Sequence, residues 1–249
     1  MTFANGVTSA NLPTPGRALA IGAHPDDIEF QCGATLAKWA ADGCVVNHLV
    51  LTDGSKGSWD ESADTRELVR VRQDEQREAA RSIGAKGEVV FLHHVDGELQ
   101  SGLPERDEVA YWIRKLQPDV VLGHDPWKRY RLHPDHRHAG WLAVDGVVAA
   151  RDPHFYPSHG IAHHRPGELL LFEADAPDHV EDVTGFGEAK IAALLAHRSQ
   201  HVSTMFIPSD DDGSALEAFG TRIMEQLATT GAAAGFSLAE SFARLATDR

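Results

Sequence analysis

Two short motifs in this sequence hold the residue types that hydrolytic chemistry needs. The first is His24-Pro25-Asp26-Asp27, set directly after an apolar run. Pro25 disfavours helical geometry at His24, so the chain runs extended to that residue and then turns sharply. Adjacent carboxylates in a turn usually project in different directions, so one can bind a metal while the other stays free. The same four residues would also make an ordinary turn in which Asp27 caps the next segment. The second motif is His133-Pro134-Asp135-His136. Its proline suits a first helical position, with His133 near the cap and His136 in the first turn. One of these histidines can be a ligand and the other a catalytic acid or electrophile. In isolation, a solvated helix start would read the same way.

Together the motifs say more. His24, Asp27 and His136 supply two imidazoles and one carboxylate, the donor set of open catalytic zinc sites. Asp26 is left beside them, able to take a proton from a metal-activated water. Competing motifs are missing from the sequence: no G-x-G-x-x-G follows the first apolar run, and there is neither a Walker-type phosphate loop nor a G-x-S-x-G elbow.

The segments that must position these groups alternate regularly. Residues 17–24, 44–54, 88–97 and 118–126 are β-branched or leucine-rich and end in Gly, Asp or His clusters, which predicts strands. Helical patterns lie between them at 33–42, 65–84 and 105–117, followed by a helix at about 135–150. Strands at 168–174 and 179–183, a helix at 186–200 and terminal helices at 213–230 and 236–247 complete the expectation. Such alternation predicts an α/β fold, Rossmann-like, with a mostly parallel sheet and helices on both faces. Residues 1–16 are polar and aperiodic and are expected to form a loose arm before a single domain spanning 17–249. In an open α/β sheet, ligands bind beyond the carboxyl ends of the strands. The polar, histidine-rich segments follow the strands here, so both motifs are expected at that edge.

Composition narrows the function class. The 249 residues carry 23 Lys+Arg against 37 Asp+Glu, a net charge of −14. That balance opposes binding to nucleic acid or to an anionic membrane surface, both of which require phosphate neutralisation. Two cysteines, Cys32 and Cys44, make neither a disulfide framework nor a four-cysteine zinc site. No apolar run approaches the ~18–20 residues of a membrane span, and residues 1–16 lack the charge and apolar stretch of a secretory signal. A cytoplasmic location is expected, and self-association is left open.

With its two His-Asp motifs in that order, the chain resembles the PIG-L/LmbE-like deacetylases from about Arg17 to Gln200. Supporting matches are Thr52-Asp53-Gly54, Arg72 with Glu75, Leu92 with Asp96-Gly97, and Lys190 with His197-Arg198-Ser199-Gln200. The resemblance implies a metal-dependent hydrolase that removes acetyl from an N-acetylglucosaminyl conjugate, with zinc as cofactor or ferrous iron in its place. It implies His24, Asp27 and His136 as ligands and Asp26 as general base. It also implies a protonated His133 at the oxyanion or leaving amine, and Arg72 and Asp96 on the sugar. Where the mycothiol branch has a catalytic tyrosine, two residues before the first histidine of the second motif, this chain has Arg131, with Tyr130 one residue earlier. Tyr130 is the preferred substrate-facing residue and Arg131 the alternative. Trp59 and Trp127, both in loops, are candidates to stack on a sugar face. Other readings are an amidase on a related thiol-sugar conjugate, a two-His-one-carboxylate iron oxygenase and a non-catalytic sugar-binding module.

Overall fold

The apolar runs at 17–24 and 118–126 become strands covered on both faces, and everything else is arranged around them. In the computed structural model, which describes residues 8–247, the elements run in chain order as follows. The first half holds β1 (Ser9–Ala10), β2 (Arg17–Gly22), α1 (Asp27–Ala41), β3 (Val45–Thr52), α2 (Thr65–Ser82), β4 (Val89–His94) and α3 (Leu103–Leu116). The second half holds β5 (Val120–His124), α4 (Pro134–Arg151), β6 (Glu168–Phe172), β7 (His179–Asp182), α5 (Gly187–Leu195), α6 (Ser214–Ala234) and β8 (Ala239–Ala246). One eight-stranded sheet has the order β1-β7-β8-β6-β5-β2-β3-β4. All neighbours are parallel except β8, which runs antiparallel to both β6 and β7. The expected mostly parallel, Rossmann-like sheet is therefore present.

Two cores flank it. On one face α1, α2 and α5 pack through Leu36, Trp39, Ala79, Ile83 and Ala193. On the other, α3 and α4 pack through Val109, Ile113, Leu142 and Val147. Strand order reverses between β2 and β5, which pair directly with each other. The crevice beyond their carboxyl ends is the topological switch point, where such sheets take ligands.

Three expectations need correction. Residues 236–247 contain β8, not a helix. Alanine, leucine, glutamate and arginine favour a helix locally, but the segment completes the backbone pairing of both β6 and β7, and tertiary pairing outweighs propensity. The first helix begins at Asp27 rather than 33, with a break at Cys32 (φ −141°). Beyond that break Glu240 accepts hydrogen bonds from the Ala34 and Thr35 amides, capping a second helical stretch from a distant strand. That restart is the periodicity visible in the sequence. The stretch read as a loose arm is docked where it is described: Ser9–Ala10 pair with β7, and the Leu12 amide donates to buried Glu181. The rest of that expectation, residues 1–7, lies outside the described residues. No helix among the described residues is long and apolar enough to cross a membrane.

Candidate active site

The His24 motif leaves β2 and turns immediately into α1. Asp26 is the residue at the turn, and its φ of 100° lies in the left-handed region. For a residue with a Cβ this costs about 1–3 kcal/mol and persists only when the surroundings enforce it. They do: Arg72 donates to the Pro25 carbonyl (2.6 Å), Gln76 accepts from the Asp26 amide (3.0 Å), and Asp27 accepts from the His24 amide (2.8 Å). The second motif starts α4, with His133 as its cap residue and Pro134 in the first turn. Gly140, one helical turn after His136, lets α4 approach the end of β5. A Cβ there would lie 2.8 Å from the His124 carbonyl oxygen. That close approach stacks the His136 ring on His124, with centroids 4.4 Å apart.

The two motifs meet across the switch point. His24 Nδ1 lies 3.4 Å from Asp27 Oδ2 and 3.3 Å from His136 Nε2, and His136 Nε2 lies 3.3 Å from Asp27 Oδ1. Donors bound to one ion at about 2.0–2.1 Å with tetrahedral angles stand about 3.3–3.4 Å apart. Asp27 meets the two histidines through different oxygens, and with one donor atom per residue the converging groups are His24/His133/His136 and Asp27/His124/His136, so a shared ion requires a small turn of the Asp27 carboxylate.

By charge, His24, Asp27 and His136 fit a cation. His24 turns its other nitrogen, Nε2, to Asp135 (3.0 Å) and Asp96 (3.2 Å), which leaves Nδ1 as the ligating atom. Burial alone would depress the His24 pKa, yet Asp135, Asp27 and Asp96 hold it well above the usual imidazole range. Burial alone would raise Asp27, yet His136 and His124 hold it well below the usual carboxylate range. The pocket thus favours positive charge where the donors converge. One adjustment is required on the His136 side. Arg131 Nη1 lies 2.9 Å from His136 Nδ1, a contact that suits a proton on Nε2. A cation at Nε2 needs the opposite tautomer, and Glu173, 2.6 Å from Arg131 Nη2, is placed to take the guanidinium.

Asp26 stands beside this cluster but outside it. Burial pushes its carboxyl up to about 6, against the pull of Arg72 and with help from Asp27. His133 packs edge-on against His24 at 4.6 Å. Burial and the neighbouring His24 and His136 lower its pKa, so a resting protonated His133 is not what this environment favours. Asp26, Asp96, His133 and the three clustered side chains all line one cavity of about 540 Å³, with Lys56, Trp59, Gln200 and Thr204 among its other walls.

Not every expected residue is brought to the cavity in the expected way. Arg72 borders it, but its guanidinium is committed to Pro25 O, Gly54 O (2.9 Å) and Asp26 (3.4 Å). Gly57 packs so tightly on it that a Cβ would lie 2.2 Å from Arg72 Nη1. Both oxygens of Asp96 are engaged, one on His24 and the other accepting from the Lys56 amide (3.1 Å). Tyr130 is 93% exposed and is not among the cavity walls. Its backbone adopts φ 57° at the tip of the 125–132 loop, which turns the phenol outward. Arg131 points inward instead. Of the two tryptophans, Trp59 lines the cavity, whereas Trp127 packs edge-on against Trp141.

Sequence reasoning missed several residues. His124 joins Asp27 (3.3 Å) to Glu173 (3.1 Å), and Asp135 fixes His24 while accepting from the Leu99 amide (3.2 Å). A signal for His124 was present: β2 and β5 both run into Gly and then His at their carboxyl ends, so neighbouring strands deliver imidazoles to one crevice. Glu173 and Gln76 carry no such mark.

Residues 19–147 match the family described as PIG-L, GlcNAc-PI de-N-acetylase. A diacetylchitobiose deacetylase of Thermococcus kodakarensis is 36% identical, over 74% of this chain and 70% of the relative. A 1D-myo-inositol 2-acetamido-2-deoxy-alpha-D-glucopyranoside deacetylase of Streptomyces scabiei is 29% identical, over 74% of this chain and 76% of its own length. Among solved structures, the N,N'-diacetylchitobiose deacetylase of Pyrococcus horikoshii superposes with a TM-score of 0.83 at 30% identity, covering 94% of this chain and 85% of that one.

Proposed function

The chain belongs to the PIG-L family, and from that premise we propose that it is a metal-dependent hydrolase that removes the acetyl group from an N-acetylglucosaminyl conjugate. The products are acetate and a free amine. The observation that carries this reading is the convergence of His24, Asp27 and His136 with the Asp26 carboxyl beside them, outside the donor set and next to Arg72 at 3.4 Å. A spare carboxylate next to an open donor set suits water activation, which favours hydrolysis over oxygenase chemistry.

His24, Asp27 and His136 are the residues that would hold the metal, zinc in this reading and ferrous iron as the alternative. When bound, the ion supplies Lewis acidity to the amide carbonyl and acidity to a water molecule. Asp26, with its carboxyl raised to about 6, is close to the ideal for a base working near neutrality, and it takes the proton of the attacking water. His133 presents an imidazole N–H to the oxygen that gains charge as the carbonyl carbon becomes tetrahedral. When the C–N bond breaks, the departing nitrogen takes a proton, passed from Asp26 or His133. Asp135 and Asp96 keep the His24 ring oriented.

The substrate side of the cavity suits a sugar. Lys56, Gln200 and Thr204 line it, with Lys56 bonded to Glu98 and Thr204 to Gln200, and the exposed Trp59 ring can cover an apolar sugar face. Arg131, rather than Tyr130, is the residue of its loop that acts on the site, through His136. A small-molecule amino sugar acted on in the cytoplasm completes the reading.

Acetate release tests it. The metal-loaded protein is expected to deacetylate N,N'-diacetylchitobiose or a GlcNAc-inositol conjugate, to stop on chelation and to recover with added zinc or ferrous iron. No release across a broad panel of acetamido sugars, with metal bound and the fold intact, overturns the assignment.

A further inference from the structure

Asp26 can act as a base only if its carboxyl is aimed into the cavity, and its main chain is held where residues other than glycine seldom go. Taking Asp26 as the base of the reaction proposed above, we infer that Gln76 is a positioning residue that sets this aim by gripping the Pro25–Asp26 peptide. Arg72 and Gln76 stand four residues apart on α2 and therefore share a face. Arg72 donates to the carbonyl of that peptide at 2.6 Å, and Gln76 Oε1 accepts from its N–H at 3.0 Å. One peptide unit is thus held at both ends from one helix.

The glutamine cannot serve in either orientation. Its Nε2 donates to Glu29 Oε1 at 2.7 Å and faces His48 Nδ1 at 3.2 Å. A flipped amide would set its oxygen against the Glu29 carboxylate and its NH₂ against the Asp26 N–H. Glu29 is itself fully buried on α1, with His197 Nε2 3.3 Å from its other oxygen. Gln76 is fully buried as well and is not among the cavity walls, so it does not act by touching substrate, and the Asp26→Asn background separates its effect through Asp26 from any through Glu29 or His48. The chemistry explains the residue type. Leucine would leave a buried N–H without an acceptor, and glutamate would add a second carboxylate beside Glu29.

The test is a double-mutant cycle on the metal-loaded protein, reading acetate release. Gln76→Leu is expected to lower kcat by about 10–100-fold, the scale of a misaimed reacting group, with KM and metal content unchanged. In the Asp26→Asn background the same change should cost less than about twofold, because residues acting as one unit are not additive. A full second loss in that background, or an unchanged kcat in the single variant, overturns the inference. Should Gln76→Leu fail to fold, Glu29→Gln, which frees the glutamine amide to flip, is expected to show a smaller loss with the same non-additivity. A crystal structure of the variant gives a readout independent of turnover. The inference requires Asp26 to leave its left-handed conformation or its carboxyl to swing away, and an unchanged Asp26 contradicts it. Absence of activity in the wild-type protein would count against the proposed reaction, while the crystal structure would still decide whether Gln76 holds the peptide.

Discussion

The two walls of the cavity are built on opposite principles. On the β2 side, His24, Asp26 and Asp27 are buried in a turn whose backbone is gripped by Arg72 and Gln76, and each side chain has one assigned direction. On the β5 side, the loop before α4 ends in Tyr130 and Leu132, 93% and 94% exposed, with Arg131 between them turned inward to Glu173. Tight backbone placement thus sits with His24, Asp26 and Asp27, while His133 and His136 are held from the other side by the start of α4. Latitude sits at the rim, in the exposed side chains of Tyr130 and Leu132. A charged ligand set tolerates little displacement, whereas a rim residue contributes through exposed contacts worth little individually.

If that contrast is right, the largest losses come from the convergence point. His24→Ala and His136→Ala are each expected to strip most bound metal and reduce turnover to background, while His138→Ala, whose ring faces Ser101 Oγ at 2.9 Å, retains both. Elemental analysis of the purified variants reads this directly. Full occupancy in His136→Ala would remove it from the donor set. Next comes Asp26→Asn, expected to keep its metal and lose turnover on the order of 10²–10⁴. Wild-type activity in that variant would hand the base role to another group.

A smaller effect is expected one layer out. Asp135→Asn should weaken metal binding by about 10–100-fold, because it loosens the His24 ring without removing a donor. Competition with a chelator of known affinity measures it, and unchanged affinity would place Asp135 outside the site's support. Smallest of all, Tyr130→Phe should change neither kcat nor KM, while Arg131→Ala should cost roughly tenfold through the freed His136 ring. A larger loss in Tyr130→Phe than in Arg131→Ala would show that the loop closes over substrate with the phenol inward, and would bring the rim into the chemistry.

The same contrast governs what could be read from the sequence. The strand-to-turn motif at 24–27 follows from proline chemistry and apolar pattern, so its donors were legible together with the parallel sheet that carries them. The choice between Tyr130 and Arg131 was not. A loop has no fixed side-chain alternation, and one backbone rotation at Tyr130 (φ 57°) decides which neighbour faces in. The commitments of Arg72 were hidden for a different reason. Sequence shows an arginine near the site, but the backbone carbonyls of Pro25 and Gly54 that absorb its donors exist only after folding. Helix propensity misled at 239–246 because the demand for a strand there comes from β6 and β7, distant in the chain. Glu29, Gln76 and Glu173 are invisible to motif reasoning, since their roles arise from burial next to charge.

The central claim is that this buried donor set, with Asp26 beside it, drives attack of water on an amide carbonyl. Turnover of N,N'-diacetylchitobiose by the metal-loaded protein in ¹⁸O-labelled water tests that claim most directly, with acetate and amine products weighed by mass spectrometry. One labelled oxygen is expected in each acetate released, with one amine freed per acetate and loss of both on chelation. Unlabelled acetate, or a product that gains the mass of water while keeping its acetyl group, would contradict it.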